Sequence, residues 1–330
     1  MRALRYSLLF AGIVVLVIAA AVASFWHAVY GDRSHPPAAS QIVVDRGSSF
    51  SEVARRLADA GIISNVTSFR ILAHVRGEES VVRAGEYRFP AHRTQSEILE
   101  ALVTGGAQVA AWVTIPEGFT LAQIAQRLQQ DGIGQSDRFE QEFMRRTLVV
   151  DGTATKNLEG FLFPSTYLVA LGASPQQVGD EMVMEFFKEL PGDAERRARG
   201  LRLTVPQVVT VASIVEREAK SEIDRPQIAE VIYNRLRLRM PLQVDATIEY
   251  ALPAHKAQLS FSDLKVNSPY NTYLHTGLPP TPIANPGLPS LEAALHPSKG
   301  ENLYYVYCGN GRHAFAKTLA EHQANVARCL

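Results

Sequence analysis

The sequence has few cysteines and lacks the short motifs that mark common nucleotide and zinc sites. Its two cysteines, Cys308 and Cys329, occur late in the chain, and neither belongs to a CxxC pair, which excludes a zinc site of the usual spacing. No GxxxxGK[ST] or GxGxxG phosphate loop is present. The sequence leaves two readings of the cysteines open: they pair in an oxidising compartment, or they are two incidental thiols.

The chain also lacks an excess of charge of either sign. It has 33 Lys and Arg against 33 Asp and Glu in 330 residues, and its basic residues form no stripe or motif typical of nucleic-acid-binding proteins. We therefore expect no nucleic-acid partner and no cofactor or metal. The length suits two soluble domains and an anchor.

Charged residues are absent from residues 7–31, where the core LLFAGIVVLVIAAAVASFW is apolar and about long enough to cross a bilayer. Arg2 and Arg5 precede this segment, which predicts a cytoplasmic N-terminal tail and export of the remaining chain. A cleaved signal peptide is the alternative, because Ala21-Val22-Ala23 resembles a cleavage site. The length of the apolar run favours an uncleaved anchor.

These observations predict a tail and transmembrane anchor over residues 1–31 and a polar linker over residues 32–40. We expect the chain to be a single-pass protein of the cytoplasmic (inner) membrane, with everything beyond the linker on the periplasmic side.

A strand–turn–helix pattern then occurs twice, as IVVDRGSSFSEVARRLADAGI and WVTIPEGFTLAQIAQRLQQDGI, which align at Gly47 and Gly118. Each copy predicts a short strand, a glycine turn and an amphipathic helix that ends at a glycine. The first copy continues through an apolar helical patch to a strand at Gly85–Phe89. This β-α-α-β order resembles a LysM-type module, which binds N-acetylglucosamine-containing glycans, and predicts a LysM-like subdomain over residues 41–110. A repeat without a ligand role is the alternative.

The run TVPQVVTVASIVEREAKSE predicts a central helix, with Thr204 and Gln207 in a capping-box pattern at its start. On a helical wheel, the apolar stripe consists of Val208, Val211, Ile214 and Val215. Glu218 falls within this stripe, whereas Glu216 points to nearly the opposite side. A carboxylate on a buried stripe is costly unless it is protonated, paired or placed at a cleft.

Such burial raises the pKa of a carboxylic acid and suits it to act as a general acid, which makes Glu218 a candidate catalytic residue. The alternative is a frayed last turn in which Glu218 pairs with Arg217 or Arg225. Glu216 and Glu222 are rival candidates, and Glu222 is the stronger rival because it would lie one turn further along the same stripe.

Less regular segments surround this helix. Phe161, Phe163 and Tyr167 form either core or a wall on which a sugar ring stacks. Asp224 is predicted to cap the next helix, and Asp245 either caps a later one or belongs to a site.

A long proline-rich stretch, residues 267–298, predicts an ordered irregular path. The C-terminal tail predicts a hairpin around Gly309-Asn310-Gly311 and a closing helix.

Seven motifs follow one another through the second half of the chain. They are LEGFLFPSTY (158–167), ASIVEREA (212–219), NRL (234–236), LQVD (242–245), YNTY (270–273), GLPPTPIANPG (277–287) and HP (296–297). In this order and spacing they resemble the MltG-type (YceG-like) endolytic murein transglycosylases, which cleave the glycan strands of peptidoglycan. Together with the short strands and helices, the resemblance implies an α+β fold with a catalytic domain over residues 111–330.

The resemblance implies that Glu218, the second acidic residue of ASIVEREA, is the catalytic residue. It implies that the other matching polar residues line the glycan groove: Asn234, Gln243, Asp245, Tyr270, Asn271, Tyr273 and Asn285. Two departures from the family pattern occur. Ser165 stands where Asp is usual, which argues against a catalytic role for that position, and Val244 and Ala246 flank Asp245 where Thr or Ser and Pro are commoner.

The implied activity is non-hydrolytic cleavage of the MurNAc–GlcNAc β-1,4 bond, which leaves 1,6-anhydroMurNAc ends and terminates nascent glycan strands. The expected partners are peptidoglycan glycan strands, with peptidoglycan synthases as candidates. One alternative is a hydrolytic muramidase in which Asp245 activates water as a second carboxylate. Another is a non-catalytic, membrane-tethered peptidoglycan-binding scaffold.

The first prediction concerns topology. A reporter that is active only in the cytoplasm, fused after Leu330, should be silent, because Arg2 and Arg5 precede the uncharged span. Strong reporter activity would contradict export. The intact mass of the purified protein should include the N-terminal residues if the span is uncleaved.

Overall fold

A computed structural model describes residues 2–33, 36, 38–253, 256, 258–309 and 311–329. Residues 34, 35 and 37 of the predicted linker, and Asn310 of the predicted turn, lie outside the described residues. The helices, in chain order, are α1 (Arg2–Trp26), α2 (Phe50–Asp59), α3 (Val66–Arg76), α4 (Gln95–Thr104), α5 (Leu121–Gln130), α6 (Ser136–Arg145), α7 (Pro175–Glu189), α8 (Ala194–Gly200), α9 (Val205–Glu218), α10 (Arg225–Arg237), α11 (Asp245–Ala251), α12 (Leu288–Leu295) and α13 (Leu319–Cys329). The strands are β1 (Ser40–Val44), β2 (Gly85–Phe89), β3 (Gln108–Thr114), β4 (Val149–Val150), β5 (Thr153–Ala154), β6 (Thr166–Ala170), β7 (Tyr304–Tyr307) and β8 (His313–Ala316).

The mixture of helices and small sheets is an α+β fold, as predicted. The chain forms two compact units. Unit 1 comprises Met1–Val113, Asp131–Ile133 and Tyr167–Gly172, and unit 2 comprises Thr114–Gln130, Gly134–Thr166 and Ala173–Leu330. The predicted domain boundaries at residues 31, 40 and 110 stay predictions.

The N-terminal helix is apolar and exposed. α1 continues into a π-helical turn at His27–Gly31, and the segment Leu9–Gly31 has 23 residues with a mean hydropathy of 2.5. Large side chains point outward along it; Leu16, for example, is 70% exposed. Within the described part of the chain, this is the one helix long and apolar enough to cross a membrane, which agrees with the predicted transmembrane helix.

Unit 1 contains a four-stranded sheet in the order β1-β2-β3-β6, with β1 and β2 antiparallel. The β1-α2-α3-β2 order matches the β-α-α-β order predicted from the sequence, whereas the resemblance to a LysM module stays a prediction. Leu57, Phe69, Tyr87 and Ile98 are fully buried in the core of this unit.

The repeated strand–turn–helix pattern is present in both copies. Gly47 and Gly118 adopt φ angles of 79° and 76° between strand and helix, and Gly61 and Gly132 adopt 68° and 83° after the helices. Glycine is the residue that takes these left-handed angles without steric cost. The same backbone requirement therefore explains all four glycines.

Unit 2 is built around α9, which is buried on nearly all sides. The four residues of the predicted stripe are buried, but so are Val209 and Ala212, which lie off it. The prediction of a single apolar stripe was therefore too narrow, because α8, α10, α11 and α12 all pack against this helix. Phe161 and Phe163 are buried in the same core, and Tyr167 is buried in unit 1, so these rings are core residues.

α9 ends at Glu218, because Ala219 has an extended ψ angle of 131°. Glu222 instead lies in a separate 3-10 turn, Glu222–Asp224, where its side chain is exposed. The prediction that Glu222 continues the stripe was wrong. At the other end, the Gln207 side chain accepts a hydrogen bond from the Thr204 N–H at 2.9 Å, which is one half of the predicted capping box.

The chain closes with the predicted hairpin and helix. β7 pairs with β8 from Tyr304 opposite Ala316 to Tyr307 opposite His313. α13 packs on this hairpin, and a disulfide joins Cys308 to Cys329, which decides between the two readings of the cysteines. α13, all of whose residues are described, buries none of them.

The disulfide should therefore stabilise α13 against local unfolding. It closes a loop with a sequence separation of 21, and a loop of this size is worth about 3 kcal/mol. Replacing both cysteines with serine should lower amide-exchange protection across α13 by on the order of 10²-fold and leave α9 unchanged. Hydrogen exchange measured by mass spectrometry tests this, and unchanged protection in α13 would show that hairpin packing alone holds the helix.

Candidate active site

Glu218 lies at the C-terminal end of α9, where the buried helix reaches a cleft. The Tyr305 hydroxyl, on β7, donates a hydrogen bond to Glu218 Oε2 at 3.1 Å. Glu218 is partly buried, so its carboxyl is reachable while most of its surroundings are protein. The negative end of the α9 dipole also disfavours a carboxylate at this position.

Asp245 begins α11 beside Glu218, and its Oδ1 accepts a hydrogen bond from the Tyr273 hydroxyl. Val244 occupies the N-cap position of α11. Asp245 is therefore not an N-cap, and of the two roles left open for it, the structure agrees with a place in the site.

The space around these residues is a cleft with two sides, and Glu218 and Asp245 line both. The aromatic side has a volume of about 380 Å³ and is lined also by Arg235, Leu242, Gln243, Tyr273, Tyr304, Tyr305, Leu319 and His322. The charged side has a volume of about 560 Å³ and is lined also by Glu117, Gly118, Glu216, Arg217, Ala219, Lys220, Ala246, Glu249, Tyr307 and His313. Glu218 and Asp245 are therefore accessible from both sides of the cleft.

The surroundings of Glu218 favour its protonated form. Burial raises the pKa of its carboxyl above the ordinary value of 4.5, and the negative charge of Asp245 raises it further. Hydrogen bonds from Tyr305 and the Ala246 N–H, together with the charge of Lys220, oppose this shift without cancelling it. Glu218 is therefore an acid that holds its proton more tightly than a solvated glutamate.

Glu216 has a structural role. Its side chain is 8% exposed, pairs with Arg225 at 3.6 Å and accepts a hydrogen bond from the Gly287 N–H at 3.1 Å, at the start of α12. Arg225 also donates to the Ser290 hydroxyl at 3.0 Å. Glu216 thus joins the ends of α9, α10 and α12 and is held by these contacts.

Four of the predicted groove residues do not line the cleft. Asn285 is fully buried: its side-chain oxygen accepts from the N–H groups of Gly160 and Leu162, and its amide donates to Phe119 O and to Glu159, each at 2.9 Å. All of its hydrogen-bonding capacity is used within the protein. Asn285 therefore holds loops together, and the structure does not bring it to the cleft.

Asn234 and Tyr270 are likewise engaged elsewhere. The Asn234 amide donates to Gly300 O and Asn302 O, which anchors the segment that leads into β7. The Tyr270 hydroxyl is 2.7 Å from the Thr281 hydroxyl. Neither side chain lines either side of the cleft.

Asn271 supports a groove residue instead of being one. It is fully buried, its amide donates to Leu264 O and Val266 O, and its oxygen accepts from the Tyr273 N–H at 2.9 Å. It thereby fixes the backbone at Tyr273, which does line the cleft. The structure brings Glu218, Gln243, Asp245 and Tyr273 together from the predicted set.

Arg235 is a site residue that the sequence reasoning missed, although it lies in the NRL motif. It is 8% exposed and donates to Leu303 O at 2.7 Å, Leu242 O at 2.9 Å and Gln243 Oε1 at 3.2 Å. Its guanidinium lies 5.2 Å from the centre of the Tyr304 ring. Arg235 therefore joins the loop that carries Asp245 to the start of the hairpin.

The hairpin and α13 supply the other missed residues. Tyr304 stacks on His322, with ring centres 5.2 Å apart, and both line the aromatic side. Burial, and then the charge of Arg235, lower the pKa of His322, which keeps its ring neutral at neutral pH. The YYVY sequence (residues 304–307) indicates a strand rich in tyrosine rings. The sequence alone does not show that this strand packs against α13, which provides His322.

Asp224 does not cap α10 with its side chain, contrary to the prediction. Its buried carboxylate accepts a hydrogen bond from the His313 N–H at 2.7 Å and lies 3.0 Å from His313 Nδ1. The pair fixes the orientation of the His313 ring on the charged side of the cleft. The Asp224 carboxylate therefore orients His313 and does not cap the N-terminus of α10.

Glu159 is a second buried acid. It accepts hydrogen bonds from the Leu121 N–H at 3.0 Å, the Tyr250 hydroxyl at 3.0 Å and the Asn285 amide at 2.9 Å. Burial raises its pKa to about 8, against the effect of these donors. It lines neither side of the cleft, so it belongs to the support of the site.

Comparison with known proteins agrees with this arrangement. The profile described as the YceG-like family matches residues 42–328. The chain is 35% identical over 301 residues to an endolytic murein transglycosylase of Bacillus subtilis (strain 168), which covers 85% of this chain and 82% of that protein. An endolytic murein transglycosylase of Streptococcus pneumoniae serotype 2 (strain D39 / NCTC 7466) is 31% identical over 316 residues, which is 86% of this chain and 57% of that longer protein. The crystal structure of a YceG-like protein from Listeria monocytogenes is similar with a TM-score of 0.62 and 32% identity, over 87% of this chain and 99% of that one.

The two glutamates of α9 should differ in what they contribute to stability. Glu216→Gln should lower the free energy of unfolding by about 3 kcal/mol, because it removes the carboxylate that pairs with Arg225, whose side chain is only 12% exposed. Glu218→Gln should change it little or raise it, because it removes an acid whose ionisation is opposed by burial. Denaturant unfolding of both variants at pH 7 measures the difference, and a Glu216→Gln protein as stable as wild type would contradict the structural role.

The difference in the free energy of unfolding between the wild type and Glu218→Gln should depend on pH. Since folding raises the pKa of Glu218, the wild type loses stability relative to the variant as pH rises from the ordinary value of 4.5 through the folded pKa. Below that window the difference in unfolding free energy should no longer change with pH.

Proposed function

Because this chain belongs to the YceG-like family, we propose that its cleft cleaves the β-1,4 bond between MurNAc and GlcNAc inside peptidoglycan glycan strands, with Glu218 as the catalytic acid and base. That the chain is a lytic transglycosylase follows from its family and close relatives. The observation that carries the finer proposal is the Glu218 carboxyl, which is partly buried, has a raised pKa and is reachable from both sides of the cleft.

In the first step, protonated Glu218 donates its proton to the oxygen that links MurNAc C1 to GlcNAc C4. The bond between C1 and this oxygen breaks, and GlcNAc leaves with a new 4-hydroxyl. Positive charge develops at C1 as in other glycosidic cleavages. The pKa of Glu218 supports this role, because a general acid works best when it is still protonated near the working pH.

In the second step, the oxygen of the C6 hydroxyl of the same MurNAc attacks C1, and the proton of that hydroxyl passes to the Glu218 carboxylate. The product is a 1,6-anhydroMurNAc end, and Glu218 is protonated again. An attacking group within the same sugar has a high effective molarity, so no bound water is needed. One carboxyl group is sufficient for both steps.

The two-sided cleft supports cleavage within a strand. Glu218 lines two cavities of about 380 and 560 Å³, which would give room for sugar residues before and after the bond that is cut. Aromatic rings such as Tyr273 and Tyr304 line one side, and such rings provide apolar faces for sugars. Gln243 and Asp245 offer hydrogen-bonding groups beside the cut bond.

The apolar N-terminal helix supports a proposal for where in the cell this reaction takes place. We propose that it anchors the enzyme in the cytoplasmic membrane, with the cleft on the periplasmic side where glycan strands are polymerised. Cutting at that position would end the elongation of a nascent strand. Peptidoglycan synthases are the matching partner class.

Hydrolysis is the second candidate function, and the position of Asp245 favours it. Asp245 lines the same cleft as Glu218, so a water molecule activated by Asp245 would attack C1 in place of the C6 hydroxyl. The products of the two reactions differ, since hydrolysis leaves a reducing end.

The test is Glu218→Gln acting on purified glycan strands. The variant should form 1,6-anhydroMurNAc ends at least about 10⁴-fold more slowly, because it loses both the acid and the base step. Glu222→Gln, which changes an exposed glutamate, should keep the wild-type rate. Mass spectrometry of the products in ¹⁸O-labelled water separates the two functions, because only hydrolysis incorporates the label. Near-wild-type cleavage by Glu218→Gln would exclude Glu218 as the proton donor.

A further inference from the structure

We propose that Tyr305 is a positioning residue that determines which oxygen of Glu218 carries the catalytic proton and stabilises the carboxylate that remains after the proton leaves. The inference rests on the proposed role of Glu218 and goes beyond it. Its basis is the hydrogen bond of 3.1 Å from the Tyr305 hydroxyl to Glu218 Oε2.

The Tyr305 ring is held in place from several directions. It lies edge-on to the His313 ring, with centres 5.7 Å apart and planes at 84°, and 6.3 Å from the Phe315 ring. His313 is in turn fixed by the buried carboxylate of Asp224 through its N–H at 2.7 Å and its Nδ1 at 3.0 Å. The hydroxyl therefore reaches Glu218 from a defined direction.

Tyr305 acts as a donor to Glu218 over the whole working range of pH. Burial, and then the charge of Glu218, raise the pKa of the Tyr305 hydroxyl well above its usual value of 10, so the hydroxyl keeps its proton. Because Oε2 accepts this hydrogen bond, protonation of Glu218 on Oε1 is favoured. The proton is thereby kept on one oxygen of the carboxyl and is ready for transfer to the glycosidic oxygen.

The same hydrogen bond changes its strength during the reaction. A bond from a hydroxyl to a carboxylate is about twice as strong as one between neutral groups. When Glu218 gives up its proton, the bond from Tyr305 therefore strengthens and stabilises the product of proton transfer. Burial raises the pKa of Glu218, whereas the hydrogen bond from Tyr305 stabilises the carboxylate that forms when the proton leaves.

Other groups also act on Glu218, and the test has to leave them unchanged. The titratable and charged groups that line the cleft with it are Glu117, Glu216 and Arg217 of α9, Lys220 after α9, Arg235 of α10, Asp245 and Glu249 of α11, Tyr273, Tyr304 and Tyr307 of β7, His313 of β8 and His322 of α13. The Ala246 N–H also donates a hydrogen bond to Glu218. Tyr305→Phe removes one hydroxyl and none of these charges. A change in the pH profile of this variant therefore reports on the Tyr305 hydrogen bond.

The experiment measures cleavage of purified glycan strands from pH 4 to pH 10 with the full-length enzyme in detergent. In Tyr305→Phe the carboxylate loses a donor, so the pKa of Glu218 rises and the falling alkaline limb of kcat should move up by about one pH unit. At the wild-type optimum kcat should fall about 10-fold, with KM nearly unchanged, because the lost interaction is strongest after proton transfer.

The matched control is Tyr233→Phe. Tyr233 is a half-buried tyrosine of α10 whose hydroxyl donates to Ala294 O at 2.8 Å, and it lines neither side of the cleft. This variant should lose stability as Tyr305→Phe does and keep the wild-type alkaline limb. A limb that moves equally in both variants would mean that a general loosening of unit 2 causes the shift.

A second variant should shift the alkaline limb in the opposite direction, and it keeps the tyrosine hydroxyl. Replacement of Tyr305 by 3-fluorotyrosine makes the hydroxyl more acidic and a better donor, which should move the alkaline limb to lower pH. This measurement decides the question if Tyr305→Phe fails to fold. An alkaline limb that stays at its wild-type position in both the folded phenylalanine and the fluorotyrosine proteins would overturn the inference.

Glu218→Gln, assayed in parallel, separates the two levels of the proposal. If it is inactive and the Tyr305 variants keep the wild-type limb, only the role of Tyr305 is wrong. If Glu218→Gln cleaves strands normally, the proposed function fails, and the role of Tyr305 fails with it.

Discussion

The rest of the site depends on the burial of one carboxyl group at the end of a helix that is apolar on nearly all sides. α9 passes through the core of unit 2 and reaches the cleft in its last turn, which ends at Glu218. Removing a carboxylate from water is costly, so burial raises the pKa of this carboxyl group. Residues on the surrounding elements raise or lower the pKa of Glu218. Asp245 makes the proton harder to lose, and Tyr305 makes it easier.

A second feature is that most polar side chains of the seven sequence motifs form hydrogen bonds that fix backbone outside helices and strands. Asn285 and Asn271 are fully buried and bind loop amides and carbonyls on two sides each. Arg235 does the same for the loop that leads to Asp245. Long stretches without helix or strand leave many backbone groups unpaired, and buried groups of this kind must find partners. Polar residues in such stretches are therefore structural first, and only those at the cleft surface are free to meet a substrate.

The sequence was sufficient to identify the α+β fold, the apolar N-terminal helix, the repeated glycine turns and the position of Glu218 on a buried helix face. The last three follow from local spacing within one segment, whereas the α+β fold follows from the mixture of short strands and helices and from the family resemblance. What could not be predicted depends on contacts between distant segments. Nothing near Glu216 in the sequence shows that it meets Arg225 and the start of α12. Likewise, Tyr305 lies 87 residues from Glu218, and Asp224 gives up its role as a helix cap because His313 approaches from 89 residues away.

Unit 1 is not continuous along the chain, and this affects the order in which the protein folds during synthesis. Two strands of its sheet, β3 and β6, are separated by a segment that belongs mainly to unit 2. The sheet therefore stays one strand short until Tyr167–Gly172 has been made. At synthesis rates of about 5 to 20 residues per second, the residues between Val113 and Tyr167 take roughly 3 to 11 s. During that interval the edge of β3 that later pairs with β6 has no partner strand, and an unpaired edge is where strands of other chains can add.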